Sequence, residues 1–172
     1  FLFQYAYGYS VFHAALLFTA WPIGIVLAAP PAGRLADHYR PALLSTIGLA
    51  LFALGLLLLA FVPSPQALDI LWKEFLCGVG FGFFQSPNNR ELLANVSRER
   101  SGSASGVLAI VRTFGQCFGA ALVAIILASY TASAANAAAD IAADIHAMHL
   151  AVGVAALAAG VAACVSVARL RR

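Results

Sequence analysis

The residues best suited to chemistry in this sequence are few and lie far apart. Arg112 lies inside an apolar run, and Gln116 follows it by one helical turn. An arginine at the centre of a membrane helix costs roughly 2.5–3.5 kcal/mol on insertion scales and is expected to face protein or water. We therefore expect Arg112 to pair with a carboxylate, with backbone carbonyls or with a substrate. The alternative is an arginine whose stem extends to the lipid headgroups.

Lys73 and Glu74 stand next to Trp72 at one end of another apolar stretch. Trp and Lys both favour the interface between membrane and water, so an interfacial anchor is one interpretation of this group. The other is that Glu74 is a titratable group facing a cavity. The sequence leaves both open.

No set of residues forms a recognisable catalytic or metal site. Asp144, His146 and His149 are a weak metal pattern, and the sequence contains no H-E-x-x-H, G-x-S-x-G or Walker motif. The 3 cysteines have no C-x-x-C spacing. We therefore expect neither an enzyme, a metal site nor a cofactor. The small net charge of +3 also argues against a nucleic-acid partner.

The elements that carry these residues are membrane helices. The 172 residues are 62% hydrophobic and only 10% charged, with a mean hydropathy of +0.89. A transmembrane helix needs about 20 apolar residues, so the chain has room for about five. The sequence predicts an all-α polytopic membrane bundle within residues 1–172, with spans at about 11–32, 42–62, 69–94, 104–130 and 150–170. The external loop at 131–149 is Ala-rich, and we expect it to contain a solvated or interfacial helix.

Basic residues predict the orientation of these spans, because cytoplasmic loops retain Lys and Arg. Arginines follow or end the first, third and fifth spans, at positions 34, 40, 90, 98, 100, 169, 171 and 172. The opposite ends carry Lys73 and the acidic Asp69, Asp140 and Asp144. We therefore expect a cytoplasmic C-terminus and a lipid bilayer as the surroundings.

Small and polar residues mark the third and fourth spans. Gly78 and Gly82, and then Gly115 and Gly119, recur at the spacing that lets membrane helices approach closely. Such faces indicate either static packing or helices that move against each other during transport. Around Pro87 lies a polar cluster, Gln85, Ser86, Asn88 and Asn89, which is either a hydrated helix end or a break facing a substrate path.

The loop from Gly33 to Arg40, GRLADHYR, contains the spacing G-x-L-x-D, with His38 after the aspartate. It resembles the G-x-L-x-D-R-x-G-R signature in the C-terminal half of the major facilitator superfamily, with His38 in place of the usual Arg. The run from Cys77 to Asn89, together with 100–106 and 112–116, resembles the fourteen-helix drug/proton antiporter branch, the multidrug-resistance permeases.

This resemblance implies a fold, an activity and a set of site residues. It implies that the chain forms most of the C-terminal half of a major facilitator fold. Together with an N-terminal half, this fold would export a small-molecule substrate across the inner membrane in exchange for protons. Energy would come from the proton gradient. A cytoplasmic gate would comprise Gly33, Arg34, Leu35, Asp37 and Arg40, with the Asp37 carboxylate near the N-terminus of a neighbouring helix. The transport path or helix packing would involve Gly78, Gly80, Gly82, Gln85, Pro87, Asn88, Asn89, Arg112, Gly115, Gln116 and Gly119.

The first residue, Phe1, leads us to expect a piece of a longer protein. A second hypothesis fits the same observation. The chain would then be a non-transporting helix bundle, a remnant or accessory module that binds a partner membrane protein through its glycine-rich faces. The two hypotheses differ in whether nine or so further spans precede the chain in its reading frame.

Overall fold

The protein is a bundle of long helices. The computed structural model describes the backbone of residues 10–61, 66–131 and 137–170, and the side chains of 10–61, 66–129 and 145–168. The helices are α1 (Val11–Phe18), α2 (Ala20–Leu35), α3 (Pro41–Ala60), α4 (Ala67–Ala94), α5 (Ser101–Thr131) and α6 (Ala137–Leu170), with a 3₁₀ turn at Arg98–Arg100 before α5. The described residues contain no strand, which confirms the predicted all-α class.

Local signals explain where the first helices begin. The Ser10 hydroxyl caps α1 by accepting a hydrogen bond from the backbone N–H of His13 at 3.3 Å. Pro41 opens α3, where its missing N–H costs nothing. Pro30 and Pro31 lie inside α2, and the helix continues past them to Leu35.

Among the described residues, four helical segments are long and apolar enough to cross a bilayer: Val11–Leu35, Pro41–Ala60, Arg98–Ser129 and Ile145–Ala168. The first of these joins α1 and α2 into one span. α4 is less apolar than these four segments, because charged and amide side chains lie near both of its ends. Its 28 residues nevertheless rise about 42 Å, which exceeds the roughly 30 Å of a hydrocarbon core.

Glycines bring α4 into backbone contact with α2 and α3. A Cβ atom on Gly24 of α2 would lie 2.6 Å from the carbonyl oxygen of Phe75, and one on Gly78 would overlap the carbonyl of Trp21. On the opposite side of α4, a Cβ on Gly48 of α3 would overlap the backbone nitrogen of Phe84. α4 is therefore the central helix, because small residues on two of its neighbours and on itself allow this approach.

Aromatic rings fill the space beside the glycine contacts. The ring centroids of Trp21 and Phe52 are 5.7 Å apart in an edge-to-face arrangement, and those of Phe52 and Phe81 are also 5.7 Å apart. Such pairs add about 0.5–1.5 kcal/mol beyond the area that they bury. This cluster joins α2, α3 and α4 near the middle of the bundle.

The last two helices are attached more loosely. α6 packs along α3, where the Thr46 and Ser166 hydroxyls share a hydrogen bond of 2.7 Å. α5 contacts α6 and only the edge of α4, and the side chains described in its apolar segment are not buried. A large apolar face of α5 is consequently open in this chain.

The Ala-rich stretch at 131–149, which the sequence predicts to be a solvated or interfacial helix, is helical from residue 137 onward. It is continuous with the last span in one helix, Ala137–Leu170. Alanine has the highest intrinsic helix propensity, and this stretch is rich in it. The side chains of Asp140 and Asp144 lie outside the described residues.

Candidate functional site

The loop after α2 is a tight turn built by backbone hydrogen bonds. The N–H groups of His38 and Tyr39 both donate to the carbonyl of Leu35, at 3.0 and 2.8 Å. The N–H of Asp37 donates to the carbonyl of Arg34 at 3.1 Å. The turn thereby reverses the chain within a few residues and projects the Asp37 side chain beside the end of α4.

Arg90 of α4 holds this turn through two bonds. Its guanidinium forms an ion pair with the Asp37 carboxylate. The Nη1 atom also donates to the backbone carbonyl of Gly33, at 3.1 Å. One arginine near the C-terminal end of α4 thus contacts the first residue of the signature loop and its central aspartate.

The pairing of Asp37 with Arg90 is not evident from the sequence. The resemblance implies that the Asp37 carboxylate lies near a helix N-terminus, which stays a prediction, and in the described chain the carboxylate is paired with the Arg90 side chain. In the sequence, Arg90 stands out only as one of several basic residues that indicate orientation. An arginine and an aspartate that lie 53 positions apart carry no local signal of pairing.

Gly33 allows the loop to lie close to the polar cluster of α4. A Cβ atom at this position would lie 3.3 Å from the Ser86 hydroxyl, which is tighter than ordinary side-chain contact. The other signature residues, Arg34, Leu35 and Arg40, are exposed. His38 contacts its own turn, with Nδ1 at 3.4 Å from the carbonyl of Arg34.

A second link joins the polar cluster to α5. With the Gln85 amide oxygen facing Arg112, that oxygen accepts hydrogen bonds from both terminal guanidinium nitrogens, at 2.9 and 3.2 Å. An amide orientation is assigned from its hydrogen bonds, and this one satisfies both partners. The partner of Arg112 is therefore a side-chain amide of the neighbouring helix, whereas the sequence predicts a carboxylate, carbonyls or a substrate.

The remaining predicted residues divide between packed and open positions. Gly78 and Gly82 face α2, and Gly80 faces α3. Pro87 is fully buried within α4, and Asn88 and Asn89 are half-buried beside it. Three further predicted residues, Gly115, Gln116 and Gly119 of α5, are exposed in this chain. No described atom lies within 4 Å of a Cβ placed on either of the two glycines.

The charged residues at the other end of α4 lie apart from this site. Lys73 is buried, and its Nζ bonds to Asp69 Oδ2 at 2.6 Å, while Trp72 Nε1 donates to Asp69 Oδ1 at 2.9 Å. Glu74 is also buried, and its Oε2 has no hydrogen-bond partner among the described residues. The described residues contain no group of three or more His, Cys, Asp or Glu that could hold a metal.

The sequence of this chain is similar to those of several known transporters. The chain is 44% identical over 117 residues to the uncharacterized transporter YebQ of Escherichia coli, an alignment that covers 67% of this chain and 26% of YebQ. It is 31% identical over 100 residues to the riboflavin transporter RibZ of Clostridioides difficile, covering 58% of this chain and 22% of RibZ. It is 27% identical over 108 residues to the multidrug resistance protein Stp of Mycobacterium tuberculosis, covering 63% and 20%.

The aligned region thus spans about a quarter or less of the length of these curated relatives. No solved structure gives a significant match. The family model of the Major Facilitator Superfamily matches residues 1–172, the whole of the sequence. The chain is therefore a multi-pass membrane protein that belongs to the Major Facilitator Superfamily.

Proposed function

We propose that this chain is the C-terminal part of a transporter that exports drugs or small metabolites in exchange for protons by alternating access. Its place would be the inner membrane, with the C-terminus in the cytoplasm, as the arginine distribution favours. The observation that carries the proposal is the connection of Arg90 to Asp37 and to the Gly33 carbonyl.

This connection has the properties of a gate contact. It ties the loop between α2 and α3 to the end of α4, so a relative movement of these helices must break it. Both side chains are about half exposed, and exposed ion pairs are worth roughly 0–1 kcal/mol. A contact of that strength can bias one conformation without locking it.

The names of two relatives support the choice of substrates. RibZ is a riboflavin transporter and Stp is a multidrug resistance protein, so the names of both relatives refer to small organic molecules. Proton exchange as the energy source comes from the resemblance to the drug/proton antiporter branch. No bound cofactor is required, since a gradient supplies the work.

The test is drug and metabolite accumulation in an efflux-deficient bacterial host. The complete gene product that contains this chain should lower the accumulation of at least one compound in a panel of drugs and metabolites that includes riboflavin. A protonophore that collapses the proton gradient should remove the difference. Unchanged accumulation across the panel, with the protein present in the membrane, would contradict the proposal.

The open face of α5 favours a second candidate function. Its exposed segment includes Gly102, Gly106, Gly115 and Gly119, and no described atom lies within 4 Å of a Cβ at any of them. In a transporter this face packs against another part of the same protein. In a non-transporting accessory module it binds a partner membrane protein. Reading the genomic frame upstream of Phe1 separates the two, because a transporter needs further spans there.

A further inference from the structure

Arg112 carries a charge that its described partner does not neutralise. Both terminal guanidinium nitrogens donate to the Gln85 amide oxygen, at 2.9 and 3.2 Å. The amide is neutral, so these bonds fix the direction of the guanidinium and leave its positive charge unpaired. Within the described part of the chain, ion pairs join Lys73 to Asp69 and Arg90 to Asp37, and no carboxylate pairs with Arg112.

The link between Gln85 and Arg112 lies at membrane depth. Gln85 is about 14 Å from the end of α4 at Ala94, and Arg112 is about 17 Å from the start of α5 at Ser101. The headgroup layer is only about 5–8 Å thick on each side of a bilayer. A charged arginine below that layer is costly, and it generally faces a counter-charge or a water-filled cavity. An anion is therefore the group that this position lacks.

An apolar groove between α4 and α5 leads to the link. Its volume is about 430 Å³, and its walls are aliphatic throughout, with Leu92 and Val96 on α4 and Ala104, Leu108 and Val111 on α5. Val96 and Ala104 lie at the helix ends that the 3₁₀ turn connects. Val111 directly precedes Arg112, and Leu108 lies one helical turn before it. The positive charge is thus at the inner end of the groove.

This arrangement of charge and apolar surface selects a class of ligand. The bonds to Gln85 use the end of the guanidinium fork, so a carboxylate can bind along its side, where the Nε–H and a terminal N–H point in the same direction. An apolar body attached to the carboxylate would fill the groove, whose volume is within the range of small-molecule sites.

Two other anions suit the groove less well. An inorganic anion would neutralise Arg112 but would leave the apolar walls uncovered. A phospholipid keeps its charge in the headgroup layer and its chains in the centre of the bilayer, which is the reverse of the arrangement in this groove.

We propose that the groove between α4 and α5 binds a small amphiphilic carboxylate, with Arg112 as its counter-charge. The inference rests on the proposed transport function and specifies a substrate class for it, the organic anions. Arg112 contacts the carboxylate, Gln85 is a positioning residue that holds the guanidinium, and the groove buries the apolar body of the ligand.

The test is equilibrium binding to the complete gene product in lipid nanodiscs, with binding to empty nanodiscs subtracted. The probes are radiolabelled naphthylacetate, which is an amphiphilic anion, and naphthylacetamide, which is a neutral compound of nearly the same shape. Wild type should bind the anion at least about tenfold more tightly, equivalent to about 1.4 kcal/mol. Arg112→Gln should remove this preference by weakening the binding of the anion, while the affinity for the neutral probe changes less than twofold.

Three further variants make the outcome specific. Arg112→Lys keeps the charge without the fork and should retain part of the preference for the anion. Leu108→Phe fills part of the groove and should weaken both probes by similar factors, with Arg112 still in place. Arg98→Gln removes the same charge from the exposed 3₁₀ turn and should leave both affinities unchanged.

Several results would overturn the proposal. If wild type binds both probes equally, another group of the complete protein already neutralises Arg112, and if it binds neither, the groove is not a site for such ligands. The proposal also fails if Arg112→Gln binds the anion as wild type does or loses both probes equally. Unchanged affinities in Leu108→Phe would exclude the groove as the binding place.

These failures differ from a failure of the proposed function. A protein that exports a compound in the accumulation assay, yet shows no preference for the anion in the binding assay, is a transporter with another substrate class. A protein that binds the anion through Arg112 but lowers the accumulation of no compound has the site without the proposed export.

Discussion

Single side chains make the connections that matter most in this bundle. Arg90 contacts the carboxylate of Asp37 and the carbonyl of Gly33, and Arg112 contacts Gln85. Arginine suits both places because its planar guanidinium presents several donors in fixed directions. A lysine could carry the charge at either position. At position 112, however, its single nitrogen could not replace the two guanidinium nitrogens that donate to the Gln85 oxygen.

The Arg90 contact leads to a prediction at the residue scale. Asp37→Asn in the complete gene product should lower the rate of export by about fivefold or less. The reason is that a shift of about 1 kcal/mol in the free-energy difference between two conformations changes their ratio by that factor. Exchanging the two charges, Asp37→Arg with Arg90→Asp, should recover part of the loss. Recovery should be incomplete, since an aspartate cannot donate to the Gly33 carbonyl.

Transport of a compound that the wild-type protein exports, measured with everted vesicles, checks this prediction. Arg98→Gln is the matched control, because it removes an exposed arginine from the adjoining turn. Full activity of Asp37→Asn would show that the ion pair has no part in gating. A charge exchange that performs worse than Asp37→Arg alone and Arg90→Asp alone would show that the two residues act independently.

The helices differ in how closely they are joined. α4 is held against α2 and α3 by backbone contacts at glycines, while α5 has open glycines and few partners in this chain. In a membrane, association of helices relies on close packing because lipid offers little hydrophobic driving force. α2, α3 and α4 therefore form the most closely packed part of the described structure.

Two glycine substitutions test this difference between helices. Gly48→Ala places a methyl group where the backbone of α4 lies, so we expect a loss of about 1–3 kcal/mol from overpacking. Gly160→Ala lies on α6, where no described atom is within 4 Å, and it should be neutral or stabilising by up to about 1 kcal/mol. Thermal unfolding of both variants in detergent provides the measurement. Equal midpoints for the two variants would contradict the proposed contact between α3 and α4.

At the scale of the whole molecule, the positions of the loops decide the orientation in the membrane. α3 has 20 residues and rises about 30 Å, so the turn before it and the residue after it should lie on opposite sides of a bilayer. Tyr39 and Phe61 are both strongly exposed at these two ends. They are suitable positions for labelling.

We expect Tyr39→Cys to react with an impermeant maleimide only from the cytoplasmic side, and Phe61→Cys only from outside. The background should lack Cys77, Cys117 and Cys164, which are the only cysteines in the sequence. Labelling in intact cells and in everted vesicles distinguishes the two sides. Reaction of both positions from one side would show that α3 does not cross the membrane, and a reversed pattern would invert the proposed topology.

Much of the fold was predictable from the sequence because a bilayer imposes a simple rule. Backbone groups in lipid must be satisfied within a helix, so each apolar run of about 20 residues indicates a span. The loop signature and the glycine-rich third span indicated the family, which the family match confirms. The boundary before the last span was not predictable in this way, because an Ala-rich helix can continue into residues that carry charges.

The sequence by itself determined the helical class, the approximate spans and the family. Only the tertiary structure decided which residues meet: Asp37 with Arg90, and Gln85 with Arg112. Spans follow from local hydropathy, which any window of the sequence contains. Partners follow from how each helix is rotated and how closely it approaches its neighbours, and these depend on contacts between residues that are far apart along the chain.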